Sequence, residues 1–217
     1  MHMELSEPSR TQALHSFKYL VGTRFQLCDA TSGQLRDLYF DDRSWEVRHL
    51  VSDPADRQSV RQLLIPPAQV RLSGRALQSE LFFRGNRDVF LQQPSASSAR
   101  PVCKQYALRN SKGAVADEAS AGQKLDPHLR SCKTVQGYRL VGAGGMVGFL
   151  DDLLIDAETW SISYLVGRAE TGGRTHMFRF SADTVASISL AAGALRLRNP
   201  ERMVPPMSPL AGLVQAA

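Results

Sequence analysis

The feature that most constrains this chain is that it repeats itself. Residues 16–52 lie over residues 131–167 at a constant offset of 115, without a gap, and 12 of the 37 pairs are identical. The identities are Ser16/Ser131, Lys18/Lys133, Gly22/Gly137, Arg24/Arg139, Gly33/Gly148, Leu35/Leu150, Asp37/Asp152, Leu38/Leu153, Asp41/Asp156, Trp45/Trp160, Leu50/Leu165 and Val51/Val166. The chain holds two tryptophans, and they fall on each other. A sequence that matches itself this way folds as two like units, so any role given to a residue in one half must be readable at its mate in the other. The register continues more weakly through Ile65/Phe180 and Val70/Val185.

The local pattern is β. Leu35–Phe40 and Leu150–Ile155 are short apolar runs ended by Asp41 and Asp156. Aspartate opens turns because its carboxylate can accept a hydrogen bond from the backbone two residues on. Trp45, Val47, His49 and Val51 then alternate with Glu46, Arg48 and Leu50, and Trp160, Ile162, Tyr164 and Val166 alternate in the same way. A period of two is the mark of a strand with one buried face. The stretch VASISLAAGALRLRN reads as a hairpin about Ala192-Gly193. Five or six strands per copy and no long helix predict an all-β chain of two small barrel-like units related by internal duplication.

The expected organisation is a flexible N-terminus (1–13), a first unit (14–94), a linker (95–125), a second unit (126–200) and a flexible C-terminal tail (201–217). The linker is rich in Ser, Ala, Gly and Pro. No apolar run approaches the roughly 20 residues of a membrane helix, and the beginning of the chain does not read as a secretory signal. Three cysteines without a CxxC spacing indicate neither a disulfide framework nor a zinc site; a reducing cytoplasm fits. The net charge of +5 invites a nucleic-acid reading. Residues 1–94 carry 12 basic and 11 acidic side chains, 95–130 carry 6 and 3, and 131–217 carry 8 and 7. The two units are nearly neutral and the surplus lies between them, whereas a nucleic-acid domain concentrates its charge on one face.

The runs GQLRDLYFDDRSWEVRHLV and VGFLDDLLIDAETWSISYLV resemble the PRC-barrel family, a β-barrel found in the cytoplasmic part of the photosynthetic reaction-centre H subunit and at the end of a ribosome-maturation factor. DPHLRSCKTVQGYRL, ahead of the second copy, is similar to bacterial proteins carrying two such barrels in tandem. The signature positions are Gly33, Asp37, Asp41 and Trp45, with Gly148, Asp152, Asp156 and Trp160. Where the family has a Trp and a Pro-Gly-Lys-like segment after Leu-Val, this chain has SDPADRQSVRQ and GRAETGGRTH. The resemblance implies a docking or scaffold module with no fixed activity of its own.

Each tempting motif has a structural reading. GAGGMVG (142–148) lacks the helix a dinucleotide loop needs after it, and its mate LCDATSG lacks the glycines, so a hairpin turn is expected. Asp151, Asp152, Asp156 and Glu158 fit no calcium-loop spacing, and two of their four mates are Arg36 and Arg43, so solvated edge charges are expected. His49, mated with Tyr164, reads as an amphipathic ring at a half-buried position; Cys28 and Cys132 read as small hydrophobes. With turns centred on Ala30-Thr31 and Gly145-Met146, Arg24 faces Asp37 and Arg139 faces Asp152, predicting one cross-strand ion pair per copy.

No catalytic, metal or cofactor site is expected. The function expected is a non-enzymatic protein-binding scaffold of two PRC-barrel modules, its partner class a membrane-associated or electron-transfer complex, with the repeats packed as a pseudo-dimer or the chain as a homodimer. The alternative is an RNA- or ribosome-associated maturation factor, motivated by the basic pI and disfavoured by near-neutral units. An enzyme assembled from scattered residues is the third class.

Overall fold

The computed structural model describes residues 13–29, 31–53, 61–75, 78–99, 101 and 126–198. The chain is all-β: two seven-stranded sheets, one per repeat, with a few short helical turns. Most of the expected tail and linker falls outside the described residues. Of the linker, residues 95–99 and Pro101 are placed, with Pro101 forming a bridge to Asp126.

The first sheet is built from β2 (Arg24–Gln26), β3 (Thr31–Asp41), β4 (Val47–Asp53), β5 (Leu63–Ile65), β6 (Val70–Arg75) and β7 (Gln78–Phe83), ordered β5-β4-β3-β2-β7-β6. The second is built from β9 (Arg139–Gly142), β10 (Gly145–Asp156), β11 (Ile162–Thr171), β12 (Arg174–Ser181), β13 (Val185–Ser189) and β14 (Ala194–Leu197), ordered β12-β11-β10-β9-β14-β13. The orders correspond strand for strand. In both, the hairpins are antiparallel and one pairing, β2 with β7 and β9 with β14, is parallel. The apolar runs are buried, with Leu35, Leu38, Leu150 and Leu153 at most 1% exposed. The alternation after the turns holds only at its start: Leu50 and Leu165, expected on the polar face, are fully buried, while His49, Tyr164 and Val166, expected on the apolar face, are half-buried. A bulge between Val47 and His49 and between Ile162 and Tyr164 turns the following residues over. One continuous cluster of buried apolar side chains draws on both sheets.

The seventh strand of each sheet comes from the other repeat. β1 (Leu14–Ser16) pairs with β10 of the second sheet, with Leu14 opposite Asp156 and Ser16 opposite Leu154. β8 (Leu129–Ser131) pairs with β3 of the first, with Leu129 opposite Asp41 and Ser131 opposite Tyr39. Thus each central strand serves two neighbours on one edge. On β3, Thr31–Gln34 pair with β2 and Tyr39–Asp41 pair with β8. The sequence boundaries at 14 and 126 therefore divide the repeats but not the sheets, because the residues that open each repeat belong to the opposite sheet.

β3 and β10 each carry a glycine packed tightly against the neighbouring strand. Gly33 and Gly148 have φ of +63° and +153°, and a Cβ on Gly148 would lie 2.5 Å from the Arg168 carbonyl oxygen. Gly148→Ala is expected to cost about 1–3 kcal/mol, for backbone strain at this φ plus displacement of β11; urea denaturation followed by tryptophan fluorescence measures it.

Candidate functional site

The residues the repeat pointed to converge where the two sheets exchange strands. A short helix follows each exchanged strand: α1 (Phe17–Leu20) after β1 and α3 (Cys132–Val135) after β8, α2 being Arg87–Leu91. The Ser16 hydroxyl donates to Asp152 Oδ2, and the Lys18 backbone N–H donates to Asp152 Oδ1 at 3.1 Å. In the mirror arrangement, the Ser131 hydroxyl donates to Asp37 Oδ2 and the Lys133 N–H to Asp37 Oδ1 at 3.0 Å. Each aspartate also accepts the N–H of the next residue, Leu38 or Leu153, at 2.8 Å. Both follow a β-bulge, which falls between Leu35 and Asp37 and between Leu150 and Asp152. A bulge re-aims a side chain out of the regular alternation, which is how these two carboxylates come to clamp the start of the other repeat's helix.

A second reciprocal contact is made by the turns. Asp41 Oδ1 accepts the N–H of Arg43 and Ser44, and Asp156 Oδ1 accepts those of Glu158 and Thr159. These are the aspartate-opened turns predicted from sequence. The turns end on Trp45 and Trp160, which have φ of +61° and +54° and are the two non-glycine residues in that region among the described residues. The Val47 N–H donates to the Trp160 carbonyl and the Ile162 N–H to the Trp45 carbonyl, both at 2.8 Å, with Glu46 bridging Ser161 between them. The outermost pair repeats the rule: the Asp42 N–H donates to the His128 carbonyl and the Ala157 N–H to the Ala13 carbonyl. Every one of these contacts maps onto its mate when the offset of 115 is applied to both partners.

The structure corrects the proposed ion pairs. Arg24 lies opposite Gln34 and Arg139 opposite Phe149, while Asp37 and Asp152 lie opposite Val51 and Val166 and bond to the other repeat's serines. The turns sit earlier than expected: Gly142 pairs with Gly145 and Gln26 with Thr31, and bulges between Arg24 and Phe25 and between Met146 and Gly148 bring the register back by only one position. The glycine-rich run 142–148 is a β9–β10 hairpin followed by strand. Asp151 makes an ion pair with Lys18 at 2.7 Å, and Asp156 is taken up by its turn. Among the described residues no group of acids, histidines and cysteines is arranged to hold a metal.

Burial dominates the electrostatics of the junction. Desolvation pushes the Asp37 and Asp152 carboxyls above their usual range, and the serine hydroxyls and backbone N–H groups offset only part of that. Cys132 is fully buried, and burial followed by the charges of Asp37 and Asp152 pushes its thiol well up, so it stays protonated and unreactive. His15 is buried with Nδ1 2.7 Å from the Ser79 hydroxyl of β7, and burial lowers its pKa. Burial, then the neighbouring Arg48, does the same to the half-buried His49. Asp41 is the opposite case: burial would raise it, but its turn N–H groups, Arg48 and Arg43 together bring it below the usual value.

These directions set a pH dependence. A carboxyl raised on folding contributes most stability below its unfolded value of 3.8 and loses that contribution as pH rises through the folded value. The double variant Asp37→Asn, Asp152→Asn mimics the protonated pair, so its stability relative to the natural chain is expected to rise with pH across that window. Urea midpoints at pH 3.5 and pH 7 check the sign; a relative stability independent of pH would contradict it.

The repeat identified Asp37, Asp41, Trp45 and their mates, but sequence reasoning missed what they bind. Ser16 and Ser131 were visible as identities. That the serine of one copy meets the aspartate of the other carries no signal in a single sequence, because an intra-repeat contact would leave the same identities. The asymmetric pieces were also missed: Asp42 accepts from His128 at 3.0 Å and pairs with Arg130, whereas its mate is Ala157. No helix among the described residues is long and apolar enough to cross a membrane. No protein-family model and no curated protein matches the chain.

Proposed function

We propose that the chain is a protein-docking scaffold of the PRC-barrel type, acting by binding and not by catalysis. The observation that supports this most is the reciprocal exchange. Two like modules on a loose linker would search for their sites independently, whereas modules that share strands, clamps and a core hold their equivalent faces at one fixed spacing. A second contact on the same partner then carries little added ordering cost. Such a body suits a partner that offers two unlike sites at that spacing, since the hairpin faces of the two repeats differ.

The β9–β10 hairpin is the docking face we favour. Met146 and Phe149, on β10, are 53% and 38% exposed, among the most exposed large apolar side chains described. Apolar side chains at a strand end project where a partner can bury them. The partner class proposed is a membrane-associated or electron-transfer complex, on the strength of the resemblance in the Gly-Asp-turn-Trp-Leu-Val core.

Affinity capture from the native host with the full chain, read by quantitative mass spectrometry, tests the reading. A protein or complex retained by the natural chain and reduced at least about 10-fold by Met146→Glu, Phe149→Glu is the expected result. Retention of RNA alone, released by salt, would replace the reading with the RNA-associated one. Retention unaffected by the double variant would move the docking face elsewhere.

A further inference from the structure

Among the described residues the two sheets differ at one edge. In the first, the outer edge of β5 is covered by the chain that follows α2: the Leu64 N–H donates to the Pro94 carbonyl at 2.7 Å and the Ala96 N–H to the Gln62 carbonyl at 2.8 Å. Leu63 and Ser95 form an antiparallel bridge between them. The mates of Gln62, Leu63 and Leu64 are Met177, Phe178 and Arg179 on β12. β12 pairs with β11 over eight residues, from Tyr164 opposite Ser181 to Thr171 opposite Arg174, and no other described strand pairs with it. Leu64 lies opposite Val51 and Arg179 opposite the mate residue Val166, so the Arg179 N–H points away from β11 as that of Leu64 points away from β4. An edge of this length that no described strand covers is a template for one more strand. Beside it, Arg179 Nε is buried without a hydrogen-bond partner among the described residues, its guanidinium 4.6 Å from the Tyr164 ring centre.

The sequence past Arg198 contains a second version of the covering segment. At the same offset of 115, Arg87, Val89, Pro94 and Ala96 recur as Arg202, Val204, Pro209 and Ala211, four identities in the ten positions 87–96. The reach is the same as in the first unit, since Phe83 is the mate of Arg198. Pro205 and Pro206 stand at the positions that Phe90 and Leu91 hold in α2, and proline lacks the N–H that a helical turn uses.

We propose that residues 208–211 add to the outer edge of β12 in the same chain, with the Arg179 N–H donating to the Pro209 carbonyl, the Ala211 N–H donating to the Met177 carbonyl, and Leu210 opposite Phe178. The tail is then a built-in edge strand, and a partner that recognises β12 by strand addition has to displace it. The anchor is lighter than in the first unit, where α2 buries Phe90.

Two measurements on the full chain test this. The Arg179 amide is expected to exchange with solvent at least about 10-fold more slowly than in a chain ending at Asn199, because the added strand must open before exchange. In a Cys28→Ser, Cys103→Ser background, Phe178→Cys with Leu210→Cys is expected to form an intrachain disulfide on mild oxidation, faster than Phe178→Cys with Ala211→Cys. Equal amide rates in the two chains overturn the proposal, as do equal cross-linking rates or disulfide-linked dimers in place of the intrachain product. If the cysteine variants fail to fold, the amide rates decide.

Discussion

Asp37→Ala with Asp152→Ala is expected to remove about 4–6 kcal/mol of stability. Each carboxylate accepts one serine hydroxyl and two backbone N–H groups at the strand-exchange junction. Alanine leaves those donors without a partner where water has little access, and an unsatisfied buried group costs about 1–3 kcal/mol. Only part of that applies here. The charged form already bears a desolvation penalty, visible in the raised pKa of both groups, and its loss offsets some of the damage. A net of about 2–3 kcal/mol per site follows, which compares with a total stability of about 5–15 kcal/mol for an ordinary domain. Chemical denaturation of the two single variants and the double variant measures it. Single effects below about 0.5 kcal/mol would show that the clamps are incidental to the junction.

Trp45→Gly is expected to destabilise by about 2–4 kcal/mol, although glycine is the residue its backbone prefers. A left-handed conformation costs a non-glycine residue roughly 1–2 kcal/mol, which glycine would recover. Against that stand the truncation of a large buried side chain, about 3–5 kcal/mol, and the loss of its stacking on Phe40. Those rings lie 5.3 Å apart at 15°, and such a pair adds about 0.5–1.5 kcal/mol. Packing wins. Trp160→Gly carries the same two opposing effects without the aromatic partner, since the mate of Phe40 is Ile155, so its cost should be smaller by about the stacking increment. With only two tryptophans present, each variant leaves the other as the fluorescent reporter of its own unit. A stabilised Trp45→Gly chain would mean that the strain outweighs the burial.

The pairing of tryptophan with a positive φ explains a part of the repeat that composition does not. Residues at turn ends with this backbone are usually Gly or Asn. Here the conformation is held at both mates by the same arrangement: the turn N–H of Trp45 bonds to the Asp41 carbonyl, and the Trp45 carbonyl accepts from Ile162 across the junction. The strained residues are therefore the ones through which each unit grips the other.

Much of the fold was legible before any coordinates. Apolar runs marked β3 and β10 and period-two alternation marked β4 and β11, although a bulge in each of the latter turned Leu50 and Leu165 to the buried face; Asp41 and Asp156 marked turns through their own carboxylates. The hairpin register was less accessible. It depended on the two-residue turn at Ala143-Gly144 and on bulges that no residue type announces, so Arg24 and Asp37 were matched although they lie three positions out of register. The exchange itself was invisible, since β1 and β8 are three residues long and Leu-His-Ser and Leu-Arg-Ser carry no periodicity at that length. What the site binds was the least legible. A junction made of serine, aspartate and backbone N–H groups is fully occupied by its own partners, and the exposed Met146 and Phe149 have counterparts Thr31 and Gln34 that share none of their character.

The account rests on the two repeats being one interlocked body, and cutting the connection between them tests this most directly. A specific protease site placed between Lys112 and Gly113 lies outside every strand and clamp described above. After complete cleavage, the two fragments are expected to co-elute in gel filtration at the position of the uncut chain, in low and high salt alike, because the junction is made of strand pairing, buried hydrogen bonds and apolar contacts. Fragments that separate into two folded monomers under native conditions would contradict it.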